Sequence, residues 1–220
     1  MKLTIVYDNV LFSDAPGLKS DHGFSCLIET DDGVILFDTG AKGDILLSNI
    51  KILGIDPSII NKIVISHEHW DHNGGLESLV PLVGGATVYR LVNENLSKNV
   101  NVATINETKK IAKGIFTTGR LKGMPVDEQA LILKNENGCY VLAGCSHPGV
   151  EKIFDAAKQY SNIVGLIGGL HGFNNFSVLK DLDFICPCHC TTHKHEIRRL
   201  FSNTSCKCGV GKVIDLDVKI

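Results

Sequence analysis

The segment Ser66-His67-Glu68-His69-Trp70-Asp71-His72-Asn73-Gly74-Gly75 constrains this chain more than any other. It sets three histidines and Asp71 within six positions, directly after the apolar run Lys62-Ile63-Val64-Ile65. Such a run reads as a buried strand, and Asn-Gly-Gly reads as the turn that leaves it. Neutral imidazole and carboxylate are the usual ligands of zinc and of iron. A strand-to-loop corner so rich in them packs poorly unless something binds there, so the segment predicts a metal site.

Histidines recur in similar places. Gly144-Cys145-Ser146-His147-Pro148-Gly149 follows an apolar run and opens a helical pattern; Gly168-Gly169-Leu170-His171 and Pro187-Cys188-His189-Cys190 each end another run. Four strands thus each deliver histidine at a carboxyl end, where open sheets place their ligands. Apolar runs predict strands at 2–7, 24–30, 34–38, 62–66, 87–91, 115–118, 130–134, 140–143, 163–168, 183–187 and 212–217. Asp31-Asp32-Gly33 and Asn135-Glu136-Asn137-Gly138 read as hairpin turns. Helical patterns fall at 43–53, 57–60, 74–79, 92–98, 149–160, 176–182 and 193–201. Hairpins mixed with strand–helix–strand units predict an α/β sandwich, and no linker-like stretch divides residues 1–220 into more than a single domain.

The pattern His67-x-His69-x-Asp71-His72, with Phe37-Asp38-Thr39-Gly40 upstream, resembles the metallo-β-lactamase superfamily. The resemblance implies a four-layer αβ/βα sandwich of two mixed sheets with outer helices and a metal site at one rim. Carried over by position, His67, His69 and His147 would hold one metal, and Asp71, His72 and His189 a second. Asp38 would support the ligand histidines from behind, and Glu68, inside the motif, would face solvent or the rear of a ligand. Where most hydrolases of the superfamily carry a metal-bridging aspartate, this chain has Gly169-Leu170-His171. Together with Asp21-His22-Gly23-Phe24-Ser25 and His189-Cys190-Thr191, this departure resembles a subgroup from archaea and anaerobic bacteria that includes a dihydropterin–ribofuranosylaminobenzene phosphate synthase.

The implied function is a metal-dependent hydrolase using a metal-bound hydroxide on a small anionic ester, phosphoester or thioester. One or two divalent ions are expected, zinc first, with iron or manganese as alternatives. Asp71 and His171 take the catalytic roles, the former on the attacking water and the latter on developing oxyanion charge or as a proton donor. His22 and Ser146 are expected to line the substrate pocket, whereas Lys19 and Arg120 read as solvated charges. Two rival readings stand beside it: a pterin-pathway bond-forming transferase, and an iron-containing redox or sensing protein.

The redox reading draws on the cysteines, five of whose eight fall between positions 186 and 208. Cys186 and Cys188, and again Cys206 and Cys208, are two apart and share a face on extended chain. These four are a candidate set for an iron–sulfur cluster or a structural zinc. Clustered thiols and the absence of a basic-then-apolar start predict a cytoplasmic protein without a leader, and no apolar run is long enough for a membrane span. A net charge of −2 recommends no nucleic acid, leaving a small molecule as the expected partner. Nothing in the sequence speaks to oligomeric state.

Overall fold

The computed structural model describes residues 1–94, 96 and 99–218. Along the chain, β1 (Lys2–Tyr7), β2 (Ser25–Thr30), β3 (Gly33–Phe37), β4 (Ile60–Val64), β5 (Thr87–Arg90) and β6 (Asn101–Thr104) build one sheet. The second sheet holds β7 (Lys109–Ala112), β8 (Ile115–Thr117), β9 (Leu131–Asn135), β10 (Gly138–Ala143), β11 (Ile163–Gly169) and β12 (Phe184–Cys188). The last strand, β13 (Val213–Asp215), returns to the first sheet beside β1. Both sheets are mixed. β1, β2 and β3 are antiparallel and β3 to β6 parallel. β7 to β10 are antiparallel, and β10, β11 and β12 parallel.

Alternation along the strands explains the layers. Leu3 and Ile5 of β1, Ile35 and Phe37 of β3, Leu131 and Leu133 of β9, and Tyr140 and Leu142 of β10 meet in one core between the sheets. The opposite faces need cover. Helices α1 (Gly43–Ile52), α2 (Trp70–Asn73) and α3 (Leu76–Leu79) follow strands of the first sheet, and α1 and α3 close its outer face through Leu46, Ile50, Leu76 and Leu79. Helices α4 (Val150–Lys158) and α5 (Lys194–Leu200) cover the second sheet. In α4 the buried residues are Val150, Ile153, Phe154 and Ala157, the i, i+3, i+4, i+7 stripe of a helix packed on one side. The result is the four-layer sandwich with outer helices.

Several elements depart from expectation for local reasons. β6 and β7 carry the polar sequences Asn101-Val102-Ala103-Thr104 and Lys109-Lys110-Ile111-Ala112, which lack an apolar run because both are edge strands. The helix expected at 92–98 falls partly on residues 95, 97 and 98, outside the described residues; residues 92–94 are not helical. The patterns at 57–60 and 176–182 form single 3-10 turns, Pro57–Ile59 and Phe176–Leu179. Truncating the inter-sheet core tests this layering. Leu142 is fully buried, so Leu142→Ala should cost about 2–5 kcal/mol, read as a lower urea midpoint with an unchanged slope.

Candidate metal centre

Strand ends of both sheets converge on one rim. Asp38 follows β3, Ser66 and His67 follow β4, Cys145 to His147 follow β10, His171 follows β11 and His189 follows β12. Every non-glycine residue with positive φ among the described residues lies here: Asp38, Ser146, His171 and His189, at 58°, 64°, 43° and 44°. Such backbone is unfavourable for side chains other than glycine and persists only where its surroundings enforce it.

Within the histidine motif the backbone changes form. His69 is extended, so His67 and His69 share a side, with His67 Nε2 3.1 Å from His69 Nδ1. The helical turn α2 then begins, with the His72 and Asn73 N–H groups donating to His69 O. That turn swings Asp71 and His72 to a second group. Glu68 accepts from the buried Arg90 guanidinium and from Asn73 Nδ2, pinning the motif to β5 rather than facing water.

A first group brings ligand nitrogens of His67, His69 and His147 within 4.8 Å of one another. The second centres on Asp71 Oδ2, with His22 Nε2 at 3.0 Å, His189 Nε2 at 3.2 Å and His72 Nε2 at 3.9 Å. Cys145, quoted in the sequence only as part of a motif, lies between them. Its sulfur is 3.1 Å from His72 Nε2 and 3.3 Å from Cys190 Sγ. The Cys145 sulfur also groups with His67 and His72, and with His147 and His171.

The outer nitrogens of these imidazoles are tied down. His72 Nδ1 donates to Asp38 Oδ2 at 2.6 Å. Ser66 donates its N–H to Asp38 Oδ1 and its hydroxyl to Asp38 Oδ2, leaving the hydroxyl oxygen to accept from His67 Nδ1 at 2.9 Å. His147 Nδ1 donates to Met124 O, and His189 Nδ1 to Asn9 Oδ1. These bonds fix the tautomers and turn four unprotonated Nε2 atoms to the rim, where that of His67 meets His69 Nδ1 and that of His72 meets Cys145 Sγ. Two of them, on His147 and His189, are buried and make no hydrogen bond to the protein, although Asp71 Oδ2 is near the latter. Orphaned buried nitrogens are costly, and imidazoles anchored behind and bare in front fit a divalent metal ion.

Electrostatics point the same way. Burial, reinforced by neighbouring imidazoles, pushes His72 down to about 3 and His147 down to about 4, and holds His67 lower still. These rings are neutral at ordinary pH, as ligands must be. His171 moves upward, because Cys190 accepts its hydrogen bond; Cys190 moves down through bonds from Cys145 and His171. Their hydrogen bond thus favours the thiolate of Cys190 and the protonated form of His171 at the exposed edge of the site.

Two residues take places that the sequence concealed or misdirected. Glu128, fully buried, accepts the N–H groups of Gly144, Cys145, Ser146 and His147 at 2.8–3.1 Å. Its carboxylate holds the whole loop that carries Cys145 and His147, yet no local motif announces it. Ser146, expected to line the pocket, instead donates its hydroxyl to Gly169 O and is 8% exposed. Its hydroxyl therefore joins the ends of β10 and β11. His22 stands at the rim, its ring 4.8 Å from His189 and 5.6 Å from the exposed Trp70. Arg120 is engaged with Asp127 and with Leu91 O.

Two expectations follow. Below about pH 6.5 the unfolded chain takes up protons that the folded imidazoles refuse. The metal-free protein should therefore lose stability as pH falls from about 6.5 toward 3, by about 2 kcal/mol at pH 5 for His72 alone, and show no such slope above 6.5. Urea titrations across that range read the slope directly. Separately, Glu128→Gln puts an amide donor among four N–H groups. It should weaken metal affinity about 10–100-fold with every ligand still in place, measured by competition with a zinc-sensitive dye.

The amino-terminal part of the chain, residues 19–109, matches the family model of the Metallo-beta-lactamase superfamily. A 7,8-dihydropterin-6-methyl-4-(beta-D-ribofuranosyl)-aminobenzene-5'-phosphate synthase of Methanocaldococcus jannaschii is 28% identical, over 80% of this chain and 83% of its own. An uncharacterized protein of the same organism, MJ0448, is 27% identical over 97% of this chain and all of its own. Among solved structures, Tm1679, a metal-dependent hydrolase of the beta-lactamase superfamily, superposes with a TM-score of 0.77 at 25% identity, covering 98% of this chain and 99% of that one. Sequence similarity and near-complete superposition agree with the rim of anchored histidines: the chain has the fold of Tm1679 and resembles the metallo-β-lactamase superfamily over residues 19–109.

Proposed function

We propose that this chain is a metal-dependent hydrolase of small anionic esters, phosphoesters or thioesters. The observation that carries the reading is the set of four imidazoles, His67, His72, His147 and His189, each anchored through Nδ1 with Nε2 turned to the rim, where Asp71 stands beside those of His72 and His189. Divalent ions at such a site supply Lewis acidity and make water a nucleophile near neutral pH. Zinc suits the imidazole and carboxylate donors, and the Cys145 and Cys190 sulfurs widen the set toward iron.

The chain's own groups then have distinct tasks. Asp71 accepts hydrogen bonds at Oδ2 and orients the attacking water. His171, its hold on a proton strengthened by the hydrogen bond to Cys190, stands on the exposed side, where it attracts an anionic group and donates a proton to the leaving oxygen or sulfur. Its ring centroid is 4.6 Å from that of His147, so donor and metal ligand address one substrate atom group. Trp70, Met124 and Phe12 expose apolar surface. Trp70, next to His22, and Met124, whose carbonyl holds His147, flank the site and favour a substrate with an apolar or aromatic part.

That rim also favours a second reading, a bond-forming transferase acting on a dihydropterin. An indole 61% exposed and 5.6 Å from His22 offers a stacking face for a flat heteroaromatic ring, and the M. jannaschii relative is named for a dihydropterin product. Turnover of a nitrophenyl phosphodiester and thioester panel by zinc- or manganese-loaded protein separates the two. The hydrolase reading expects turnover that is abolished in His69→Ala and falls about 100-fold or more in kcat in His171→Ala, with loss of the protonated-acid limb of the pH profile. No turnover on the panel, together with saturable dihydropterin binding that Trp70→Ala weakens, would establish the second reading instead.

A further inference from the structure

Away from the histidine rim, a second set of metal-type donors lies in the core between the sheets. Cys186 and Cys188 sit two apart on β12 and point to the inter-sheet face, where Cys208 and the partly buried Cys206 meet them. The sulfurs of Cys186, Cys188 and Cys208 all lie within 4.8 Å of one another, and Cys186 and Cys188 are 3.9 Å apart. Cys206 completes the group through a side-chain contact with Cys186. The two cysteine pairs reach one place because residues 204–206 run alongside β12. Ile185 N–H donates to Thr204 O at 2.8 Å, and Cys206 N–H to Ile185 O at 2.9 Å.

Free buried cysteine is an ordinary small apolar residue, and one or two here would pass as packing. Three sulfurs within reach of one ion and a fourth packed beside Cys186, from two C-x-C pairs, form a different arrangement, since thiols are weak hydrogen-bonding partners. A tetrahedral zinc with Zn–S bonds of about 2.3 Å places its sulfurs about 3.8 Å apart, close to the 3.9 Å between Cys186 and Cys188. An iron–sulfur cluster puts several irons and sulfides between its thiolates and needs a wider cage. The surroundings supply countercharge. Lys212 and Arg198 act on Cys206, and Cys208 Sγ lies 3.5 Å from the buried Asp8 Oδ2.

We propose that Cys186, Cys188, Cys206 and Cys208 bind one zinc ion as a tetrahedral thiolate site that fastens residues 204–211 to β12 and so fixes the position of His189. The link to His189 is Asp8. Its Oδ2 accepts the His189 N–H at 2.8 Å while facing Cys208, and its Oδ1 accepts from Val10. Binding releases the thiol protons and leaves a doubly negative centre beside Lys212 and Arg198.

The test uses the full chain, purified without oxygen, after His67→Ala, His69→Ala, Asp71→Ala and His72→Ala have taken ligands from both groups of the histidine rim. Zinc analysis should find one ion per chain, and zinc X-ray absorption should show four sulfur neighbours at about 2.3 Å. Adding Cys206→Ser and Cys208→Ser should remove that ion and lower the melting temperature. If the serine variant does not fold, mercurial titration of the rim-disabled protein gives the same reading, with one zinc released as four thiolates are consumed. No zinc in the rim-disabled protein overturns the proposal, as does a shell of nitrogen or oxygen. Iron at the site, with or without acid-labile sulfide, overturns the zinc assignment. Because the rim is disabled throughout, the outcome stands apart from the hydrolase reading.

Discussion

The buried carboxylate of Asp38 is the interaction on which the site depends. It follows β3, is fully buried, and binds the backbone and hydroxyl of Ser66 and the imidazole of His72. Through Ser66 it also sets the tautomer of His67. An isolated carboxylate in such surroundings is strongly disfavoured, and burial pushes Asp38 well above the ordinary carboxylate range against the pull of its Ser66 bonds. It is tolerated because each oxygen has a donor. One residue thereby orients ligands of both metal groups and ties β3 to β4. Gly144 presses against the same knot: a Cβ there would stand 2.2 Å from Ser66 Oγ, so only glycine lets the second sheet approach the first so closely at this point.

The second sheet has its own buried carboxylate. Glu128 gathers four successive N–H groups of the loop after β10, among them that of Ser146 at φ 64°. Unfavourable backbone at Ser146 and Asp38 is thus sustained by charge-assisted hydrogen bonds. The two sheets present their ligands from opposite sides, each braced by a carboxylate below the rim. Preorganisation of this kind makes a metal site selective, because the ligands cannot relax around an ion of the wrong geometry.

The sequence made some of this legible and hid the rest for physical reasons. Strands with apolar runs, both hairpins and the HxHxDH corner could be read because their signal is local. Asp38 was visible through its Asp-Thr-Gly turn. Glu128 was not, because its role exists only once β10 brings four N–H groups to it, 16 to 19 positions away in sequence. Ser146 misled because a serine before a helix looks like a binding group, whereas its strained backbone turns the hydroxyl toward Gly169. The edge strands β6 and β7 escaped because exposure on an edge removes the apolar alternation that marks a strand. Glu68 was open between solvent and a supporting role because its partner Arg90 comes from the next strand of the sheet.

The centre of the rim separates this chain from a carboxylate-bridged site. A bridging aspartate would bring a fixed negative charge between two metal positions. Cys145 lies between the two groups instead, and its thiol is held protonated by the hydrogen bond it makes to Cys190 and by burial. Burial keeps the imidazoles of His67, His72 and His147 neutral, while His189 and His72 pull Asp71 below the ordinary carboxylate range against its burial. Sulfur in that position also favours thiophilic ions over magnesium or calcium. Loss of the aspartate thus changes which ions suit the centre and leaves the histidine frame intact.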